Sequence, residues 1–150
     1  MGRTPEYIGK IRSFNRFYTD VIGLLKPNFL DTQFSLTEGR VLYEIAQLEE
    51  CSAKKIRERI AIDEGYLSRI IDKFIKKGLI TKAPSANDRR LHIIALTKKG
   101  REEFAKMSEN SNRLISQITQ GLSESESKEL VGMMERIQEL LTKQQPKSSL

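Results

Sequence analysis

Apolar residues near the start of the chain recur at close to the 3.6-residue spacing of an α-helix, from residue 5 to about residue 26. The positions are Ile8, Ile11, Phe14, Tyr18, Val21, Ile22 and Leu25. Thr4 is suited to cap this helix, with Pro5 as its first residue, and Pro27 is expected to end it, because proline has no N–H to donate. The pattern therefore predicts an amphipathic first helix, followed by a loop over residues 28–36.

Three shorter helices are predicted next, each preceded by a side chain that accepts hydrogen bonds from free backbone N–H groups. Thr37 is expected to cap the second helix, Ser52 the third and Asp63 the fourth. The fourth covers residues 64–77, and Gly78 is expected to end it, because glycine readily adopts the left-handed conformation of a helix C-terminus. The second helix has an apolar face formed by Val41, Leu42, Ile45, Ala46 and Leu48.

Beyond Gly78 the spacing of apolar residues changes from helical to extended. Residues 79–83 and 90–96 are apolar or β-branched runs, and the polar residues 84–89 between them favour a turn, which predicts a β-hairpin. Thr97 is expected to cap a long fifth helix that Gly121 ends, and Ser123 with Glu126 to form a capping box for a sixth. Residues 144–150 are expected to fray. The predicted fold is mainly α with one small β-hairpin.

Composition limits the class of protein. At 150 residues, with 38% hydrophobic and 31% charged residues, the chain is typical of one soluble globular domain rather than two. No stretch approaches the roughly 20 apolar residues that span a bilayer, and no apolar signal segment is present at the N-terminus, so we expect a cytoplasmic protein without a membrane partner. The single cysteine excludes an intramolecular disulfide framework.

Positive charge is concentrated in the middle of the chain. Residues 54–101 contain 14 lysines and arginines against five aspartates and glutamates, whereas the remainder is mildly acidic and the whole chain has a net charge of +6. A basic segment between acidic ends indicates a polyanion partner for that segment. A solvated, lysine-rich surface would give the same composition, so charge alone leaves both interpretations open.

The predicted fourth helix has two different faces. Leu67, Ile70, Ile71 and Phe74 cluster within about 100° of the helical wheel and form a buried stripe. Tyr66, Arg69, Lys73 and Lys76 lie on the opposite side, with Ser68 at the boundary. Such a helix can enter the major groove of DNA, where base edges offer acceptors to arginine, serine and tyrosine. An amphipathic helix with a solvated basic face is the alternative.

The predicted hairpin tip carries Asp88, Arg89 and Arg90. An arginine at the end of a protruding ribbon suits a narrow minor groove, where the negative potential is enhanced. Alone, this turn would be interpreted as a charged surface loop. Because it directly follows a short helix, a tight turn and a basic helix, the combination indicates a winged helix-turn-helix.

Five runs of residues, in this order and spacing, resemble the MarR family of winged helix-turn-helix repressors over nearly the whole chain. They are Leu36-Thr37-Glu38-Gly39-Arg40-Val41-Leu42, Tyr66-Leu67-Ser68-Arg69-Ile70-Ile71-Asp72-Lys73-Phe74, Lys77-Gly78-Leu79-Ile80, Asn87-Asp88-Arg89-Arg90 and Leu96-Thr97-Lys98-Lys99-Gly100. The resemblance implies a homodimer that binds a near-palindromic double-stranded DNA operator. It implies base contacts by Ser68 and Arg69, Arg90 in the minor groove with Asp88 as its orienting partner, and Arg89 as a second wing contact.

The predicted domain organisation follows from this resemblance and from the apolar stripes of the terminal helices. Residues 1–150 are expected to form one MarR-type domain, with a DNA-binding lobe at 36–97 and dimerisation helices at 4–26 and 98–144. The first and last helices carry more apolar surface than one monomer of this size needs. Packing of both helices within their own monomer is the alternative.

Other functions have weaker support. His92 is the only histidine, so neither a metal site nor histidine catalysis is expected, and no cofactor is predicted. Cys51 precedes the third helix, whose N-terminus can lower a thiol pKa, which leaves a redox sensor open. Similar segments precede acetyltransferase domains, but this chain ends after its sixth helix, so no enzyme is expected. A protein-binding winged domain is a further alternative.

In the resembled family, small phenolic or anionic effectors bind between the dimerisation helices and the DNA-binding lobe. The resemblance therefore implies a ligand-responsive repressor. Tyr7, Phe14, Phe17 and Tyr43 are the aromatic residues expected near such a crevice, with a place in the core as their alternative.

Overall fold

The computed structural model describes residues 5–24, 26 and 28–143. The elements are α1 (Pro5–Val21), a 3₁₀ turn (Phe29–Asp31), α2 (Leu36–Gln47), α3 (Ala53–Arg59), α4 (Glu64–Lys76), β1 (Ile80–Pro84), β2 (His92–Leu96), α5 (Lys98–Thr119) and α6 (Glu124–Thr142). This order confirms the mainly α fold with one antiparallel hairpin. The predicted cap at Thr4, the apolar position Leu25, the predicted stop at Pro27 and the tail 144–150 lie outside the described residues. In the part of the chain that is described, no helix combines the length and apolar character needed to cross a bilayer.

The chain divides into two compact units, residues 1–114 and 115–150. The core of the first unit is formed by α2, α3, α4 and the hairpin. Phe34, just before α2, and Phe74 of α4 pack edge to face within this core, with ring centroids 5.8 Å apart. The second unit contains the end of α5 and the whole of α6, which has no buried residue.

Helix α1 is shorter than predicted, because it ends at Val21 rather than near residue 26. Gly23 adopts the left-handed conformation, with φ +70°. The N–H of Leu24 donates to the carbonyl of Thr19 at 3.1 Å, and that of Gly23 donates to Asp20 at 3.1 Å. This paired arrangement at a left-handed glycine is a Schellman motif, which closes the helix before Pro27 is reached.

Helix α2 begins at Leu36 and is capped by Ser35, so the predicted cap at Thr37 is wrong. The N–H of Glu38 donates to Ser35 Oγ at 3.1 Å, and the N–H of Ser35 donates to Glu38 Oε1 at 3.3 Å. Thr37 lies inside the first turn. The reciprocal bonds form a capping box, which satisfies two backbone donors that would otherwise have no partner.

The predicted caps of the next two helices are confirmed. Ser52 Oγ accepts from the N–H of Lys55 at 3.2 Å, and Asp63 Oδ2 accepts from the N–H of Tyr66 at 2.9 Å. Gly78 has φ +71° and follows the end of α4, as predicted. These caps fix both ends of α4, the helix that carries most of the predicted site.

The two strands pair antiparallel from Ile80 opposite Leu96 to Pro84 opposite His92. The first strand has the predicted length but begins one residue later than predicted. The second is two residues shorter than predicted, because a turn hydrogen bond from the N–H of Leu91 to the carbonyl of Asp88 occupies the start of that run. The caps predicted for α5 and α6 are confirmed: Gly100 N–H donates to Thr97 Oγ1 at 3.0 Å, and Ser123 forms a capping box with Glu126. Helix α5 ends at Thr119, two residues before the glycine predicted to end it.

Candidate nucleic-acid interface

The two faces predicted for α4 are present in the structure. The predicted stripe of Leu67, Ile70, Ile71 and Phe74 is buried in the core. The predicted site residues on this helix are all exposed: Tyr66, Ser68, Arg69, Lys73 and Lys76. One side of α4 therefore holds it on the domain, and the other presents a phenol, a hydroxyl and three cationic side chains to solvent.

Arg69 is stacked on its neighbour one turn earlier. Its guanidinium carbon lies 5.7 Å from the centre of the Tyr66 ring. A cation over an aromatic face is attracted by the quadrupole of the ring, and an exposed pair of this kind contributes roughly 0.5–1 kcal/mol. The stack reduces the rotamer freedom of Arg69, so less conformational entropy is lost when its guanidinium binds an acceptor.

Lys73 makes a contact that the sequence analysis did not anticipate. Its ammonium lies 2.8 Å from Oε2 of Glu38, a buried carboxylate on α2. Burial acts to raise the pKa of Glu38, but the Lys73 ammonium and the Ser35 hydrogen bonds outweigh burial and hold that pKa below its usual value. The Ser35-x-x-Glu38 spacing was the available signal, since it is the pattern of a capping box.

The C-terminal half of α4 forms a basic surface. Arg69, Asp72, Lys73, Lys76 and Lys77 line one shallow depression on it. Lys77 already has a partner within the protein, because its ammonium donates to Gln33 Oε1 at 3.0 Å. Among the described residues, Arg69 and Lys76 have no acidic partner within 4 Å. These two cations are therefore available to an external anion.

The hairpin tip holds the three predicted wing residues, all exposed. Asp88 Oδ1 accepts a hydrogen bond from the backbone N–H of Arg90 at 3.0 Å, and the carbonyl of Asp88 accepts from Leu91. Asp88 thus holds the backbone of the turn at Arg90. Within the described ranges, the guanidinium groups of Arg89 and Arg90 have no carboxylate within 4 Å. Their charges remain uncompensated at the end of the ribbon.

Helix α3 adds basic residues that the sequence analysis did not assign to the site. Lys54, Lys55, Arg57 and Arg59 are exposed on it. Arg57 lies 3.5 Å from Glu64, in the first turn of α4, and so connects the two helices of the helix-turn-helix. The sequence signal was the run Ala53–Arg59 itself, in which four of seven residues are basic.

Cys51 is buried against the hairpin rather than exposed at a helix end. Its carbonyl accepts from the N–H of Ile94 at 2.8 Å. Burial raises the pKa of its thiol to about 11, with Glu44 adding to the rise and Lys55 opposing it. This shift is opposite to the one considered from the sequence, so the structure gives no support to a reactive thiol. No group of three potential metal ligands occurs among the described residues.

A crevice of about 470 Å³ lies in the first unit, outside the basic surface. It is lined by residues of the 3₁₀ turn, α2 and α5, which include Phe29, Leu36, Gly39, Arg40, Tyr43, Phe104 and Met107. Tyr43 was expected here, whereas Tyr7, Phe14 and Phe17 are not among the lining residues. The crevice is of a size and apolar character suited to a small aromatic molecule.

Comparison with known sequences agrees with this geometry. The sequence model of the MarR family matches residues 34–92, which contain the helix-turn-helix and most of the hairpin. The chain is also 28% identical, over 97 residues, to the HTH-type transcriptional regulator BilQ of Clostridium symbiosum (strain WAL-14163). That alignment covers 65% of this chain and 67% of BilQ.

Solved structures share the fold over most of its length. A Staphylococcus aureus MarR in complex with salicylate and kanamycin superposes with a TM-score of 0.76 at 23% identity, and the match covers 93% of this chain and 94% of that one. A mutant MarR from E. coli complexed with operator DNA superposes with a TM-score of 0.70 at 20% identity, covering 91% and 99%. Residues 34–92 therefore match the MarR family, and the chain has the winged helix-turn-helix fold of solved MarR proteins.

Proposed function

We propose that this protein is a homodimeric, sequence-specific regulator of transcription that represses its target by binding a near-palindromic duplex and releases it in response to a small molecule. The observation that carries the proposal is the pairing of a basic, solvent-facing α4 with an uncompensated arginine pair on the hairpin. A helix and a flanking ribbon of this kind can bind adjacent major and minor grooves.

Every predicted contact except Lys73, whose ammonium is paired with Glu38, has a role in this proposal. Ser68 and Arg69 lie at the exposed N-terminal half of α4, where recognition helices meet base edges, and Tyr66 positions Arg69 by stacking. Lys76 is assigned to a phosphate, because a flexible ammonium is suited to charge rather than to base recognition. Arg90 is assigned to the minor groove and Arg89 to the flanking backbone, with Asp88 holding the turn.

Unburied apolar side chains on the terminal helices support the dimer. Helix α1 has no buried residue, and Tyr7, Ile8, Ile11, Phe14 and Phe17 are each at least 43% exposed. Val131, Met133, Ile137, Leu140 and Leu141 on α6 are exposed to a similar extent. Contiguous apolar surface of this kind indicates a protein interface. We therefore assign 36–97 to a DNA-binding lobe within a single MarR-type domain, and 4–26 and 98–144 to dimerisation.

Binding to duplexes from the DNA that flanks the gene of this protein tests the proposal. Arg69→Ala and Arg90→Ala are each expected to weaken specific binding by about 1–3 kcal/mol, measured by fluorescence anisotropy. Arg113→Ala is the control, because it removes the same charge from an ion pair with Glu109 on α5. The proposal fails if both arginine variants bind as the parent does while retaining its circular dichroism spectrum.

Oligomeric state tests the dimer separately. Ile137→Glu introduces a charge into the exposed apolar face of α6 and is expected to give a monomer by light scattering, because burying an unpaired carboxylate is costly. Gln138→Glu adds the same charge at the neighbouring position and is the control. A parent protein that is monomeric at micromolar concentration would contradict this part of the proposal.

The small-molecule response is assigned to the crevice between the 3₁₀ turn, α2 and α5. The S. aureus MarR of similar fold was solved with salicylate, so salicylate is a suitable first probe. It is expected to dissociate the DNA complex of the parent and to have a weaker effect on Tyr43→Ala, whose ring lines the crevice. If salicylate dissociates the DNA complexes of the parent and of Tyr43→Ala equally, the crevice is not its binding site.

The proposal includes no catalytic activity, cofactor or metal. Support comes from the named relative, which is a transcriptional regulator. It also includes a cytoplasmic site of action, since that is where a bacterial regulator meets the chromosome. Saturable micromolar binding of acetyl-CoA would contradict the non-enzymatic assignment.

A further inference from the structure

A buried carboxylate contacts the exposed side of the proposed recognition helix. The side chain of Glu38 is 11% exposed, and its two oxygens have separate partners. Oε1 accepts from the N–H of Ser35 in the capping box of α2, and Oε2 meets the ammonium of Lys73 on α4 at 2.8 Å. Among the described residues, this ammonium is the sole polar partner of Oε2.

This contact changes what Lys73 can do. Its side chain is 47% exposed and lies one helical turn after Arg69, on the side of α4 assigned to DNA. However, its ammonium is held by a desolvated carboxylate, and removing one partner of such a pair leaves a buried charge uncompensated. Lys76, one turn further along the same helix, has no such partner in the described chain. Two exposed lysines on the same helix are therefore not equivalent.

We propose that Glu38 is a specificity-determining positioning residue, which withholds Lys73 from the DNA phosphates and fastens α4 to the N-terminal turn of α2. This inference rests on the proposed DNA-binding function. Non-specific affinity depends on how many phosphates the protein neutralises, whereas base recognition depends on groups such as Ser68 and Arg69. Neutralising one lysine inside the protein lowers non-specific affinity without removing a base contact, so the ratio of specific to non-specific affinity rises.

The salt dependence of binding to a random duplex measures the number of phosphate contacts directly. Each contact contributes about 0.9 to the magnitude of the slope of log K against log[salt]. Glu38→Gln keeps the shape of the side chain and the acceptor for Ser35, but removes the charge that holds Lys73. Lys73→Met keeps most of the aliphatic chain and removes the ammonium.

Four variants and the parent are compared on the full-length protein. Lys73→Met is expected to have the slope of the parent, because Lys73 contacts no phosphate. Glu38→Gln is expected to have a slope steeper by about 0.9, because the freed lysine gains a phosphate. The double variant is expected to return to the parental slope, and the specific-to-non-specific affinity ratio to fall in Glu38→Gln alone. Lys76→Met, which is expected to have a slope shallower by about 0.9, shows that the measurement resolves one contact.

Two results overturn the inference. A slope shallower by about 0.9 in Lys73→Met means that Lys73 leaves Glu38 for a phosphate in the complex. An unchanged slope in Glu38→Gln means that Glu38 is not what withholds it. If Lys73→Met, which leaves the Glu38 carboxylate without its partner, does not fold, the slopes of Glu38→Gln and of the double variant still decide the question. A parent that binds no duplex would overturn the proposed function itself, whereas either slope result, in a parent that binds, overturns this inference alone.

Discussion

The carbonyl oxygen of Leu79 occupies the space in which a side chain at Gly100 would begin, so that an ideal Cβ at position 100 would collide with it. The same carbonyl accepts a hydrogen bond from the N–H of Thr97 at 2.9 Å. Leu79 directly follows the glycine that ends α4, and Gly100 is in the first turn of α5. The start of α5 therefore lies on the backbone that connects the proposed recognition helix to the wing.

Gly100→Ala is expected to lower the free energy of unfolding by about 3 kcal/mol, because backbone on both sides must shift to admit a methyl group. Denaturation in urea measures the change. Gly121→Ala is the control, since an added Cβ there meets no atom within 4 Å and its φ is not left-handed. The control is expected to stay within about 0.5 kcal/mol of the parent. Equal midpoints for the two variants would show that the close approach is not rigid.

This contact illustrates which part of the fold could be predicted from the sequence. The Leu96–Gly100 run was identified as a motif, and Thr97 as a helix cap, because capping residues act locally. The need for a glycine at position 100 could not be predicted, since it depends on the carbonyl of Leu79, some twenty residues earlier in the chain. The same holds for α1, where a glycine in a Schellman motif ended the helix before the proline that was expected to do so.

The sequence predicted which side chains lie on the exposed face of α4. It did not predict where the charged ends of those side chains lie. Periodicity places Lys73 and Lys76 on the same side of α4, because it fixes the direction of each Cα–Cβ bond. The ammonium of Lys73 lies four methylene groups further out, and its position depends on a carboxylate from another helix. Glu38 was itself concealed, because the choice of Thr37 as the cap of α2 shifted the expected helix start away from Ser35.

Acid should destabilise the parent more than a variant without the Glu38 carboxyl. The pKa of Glu38 in the folded protein is below its ordinary value of 4.5, so the unfolded chain binds a proton at higher pH than the folded chain does. Its contribution to stability is therefore present above about pH 4.5 and lost as the pH falls through the folded pKa. Urea denaturation between pH 6 and pH 3 is expected to show a smaller loss for Glu38→Gln. If the free energy of unfolding falls equally in both proteins between pH 6 and pH 3, the pKa of Glu38 is not lowered by folding.

Cys51 is expected to be unreactive in the folded protein. With the pKa of its thiol raised to about 11 and its side chain buried, little thiolate is present or accessible at neutral pH. Labelling with a thiol-reactive disulfide at pH 7.5 is expected to be slow in buffer and complete in denaturant. The folded pKa exceeds the ordinary value of 9.0, so above pH 9 the unfolded chain loses the thiol proton before the folded protein does. The free energy of unfolding is therefore expected to be constant with respect to this group below pH 9 and to fall as the pH rises towards 11.

Peroxide treatment gives an independent check of the same residue. DNA binding by the parent and by Cys51→Ala is expected to be equally insensitive to peroxide, since oxidation proceeds through the thiolate. Rapid labelling of the folded parent, or peroxide-dependent loss of binding in the parent but not in the variant, would restore the thiol-sensor alternative.

Glu50 adopts a left-handed conformation, with φ +47°, in the turn between α2 and the buried Cys51. This conformation costs a residue with a Cβ about 1–2 kcal/mol, whereas glycine adopts it without that cost. Glycine also gives the unfolded chain more freedom, which offsets part of the gain. Glu50→Gly is therefore expected to raise the free energy of unfolding by about 0.5–1 kcal/mol in urea denaturation.

Glu49→Gly is the matched control, because its φ is not left-handed. There the greater backbone freedom of glycine in the unfolded chain acts alone, and it is expected to lower the free energy of unfolding by about 0.5–1 kcal/mol. Changes of the same sign in both variants would show that the turn relaxes at no cost, and that the φ at Glu50 carries no strain.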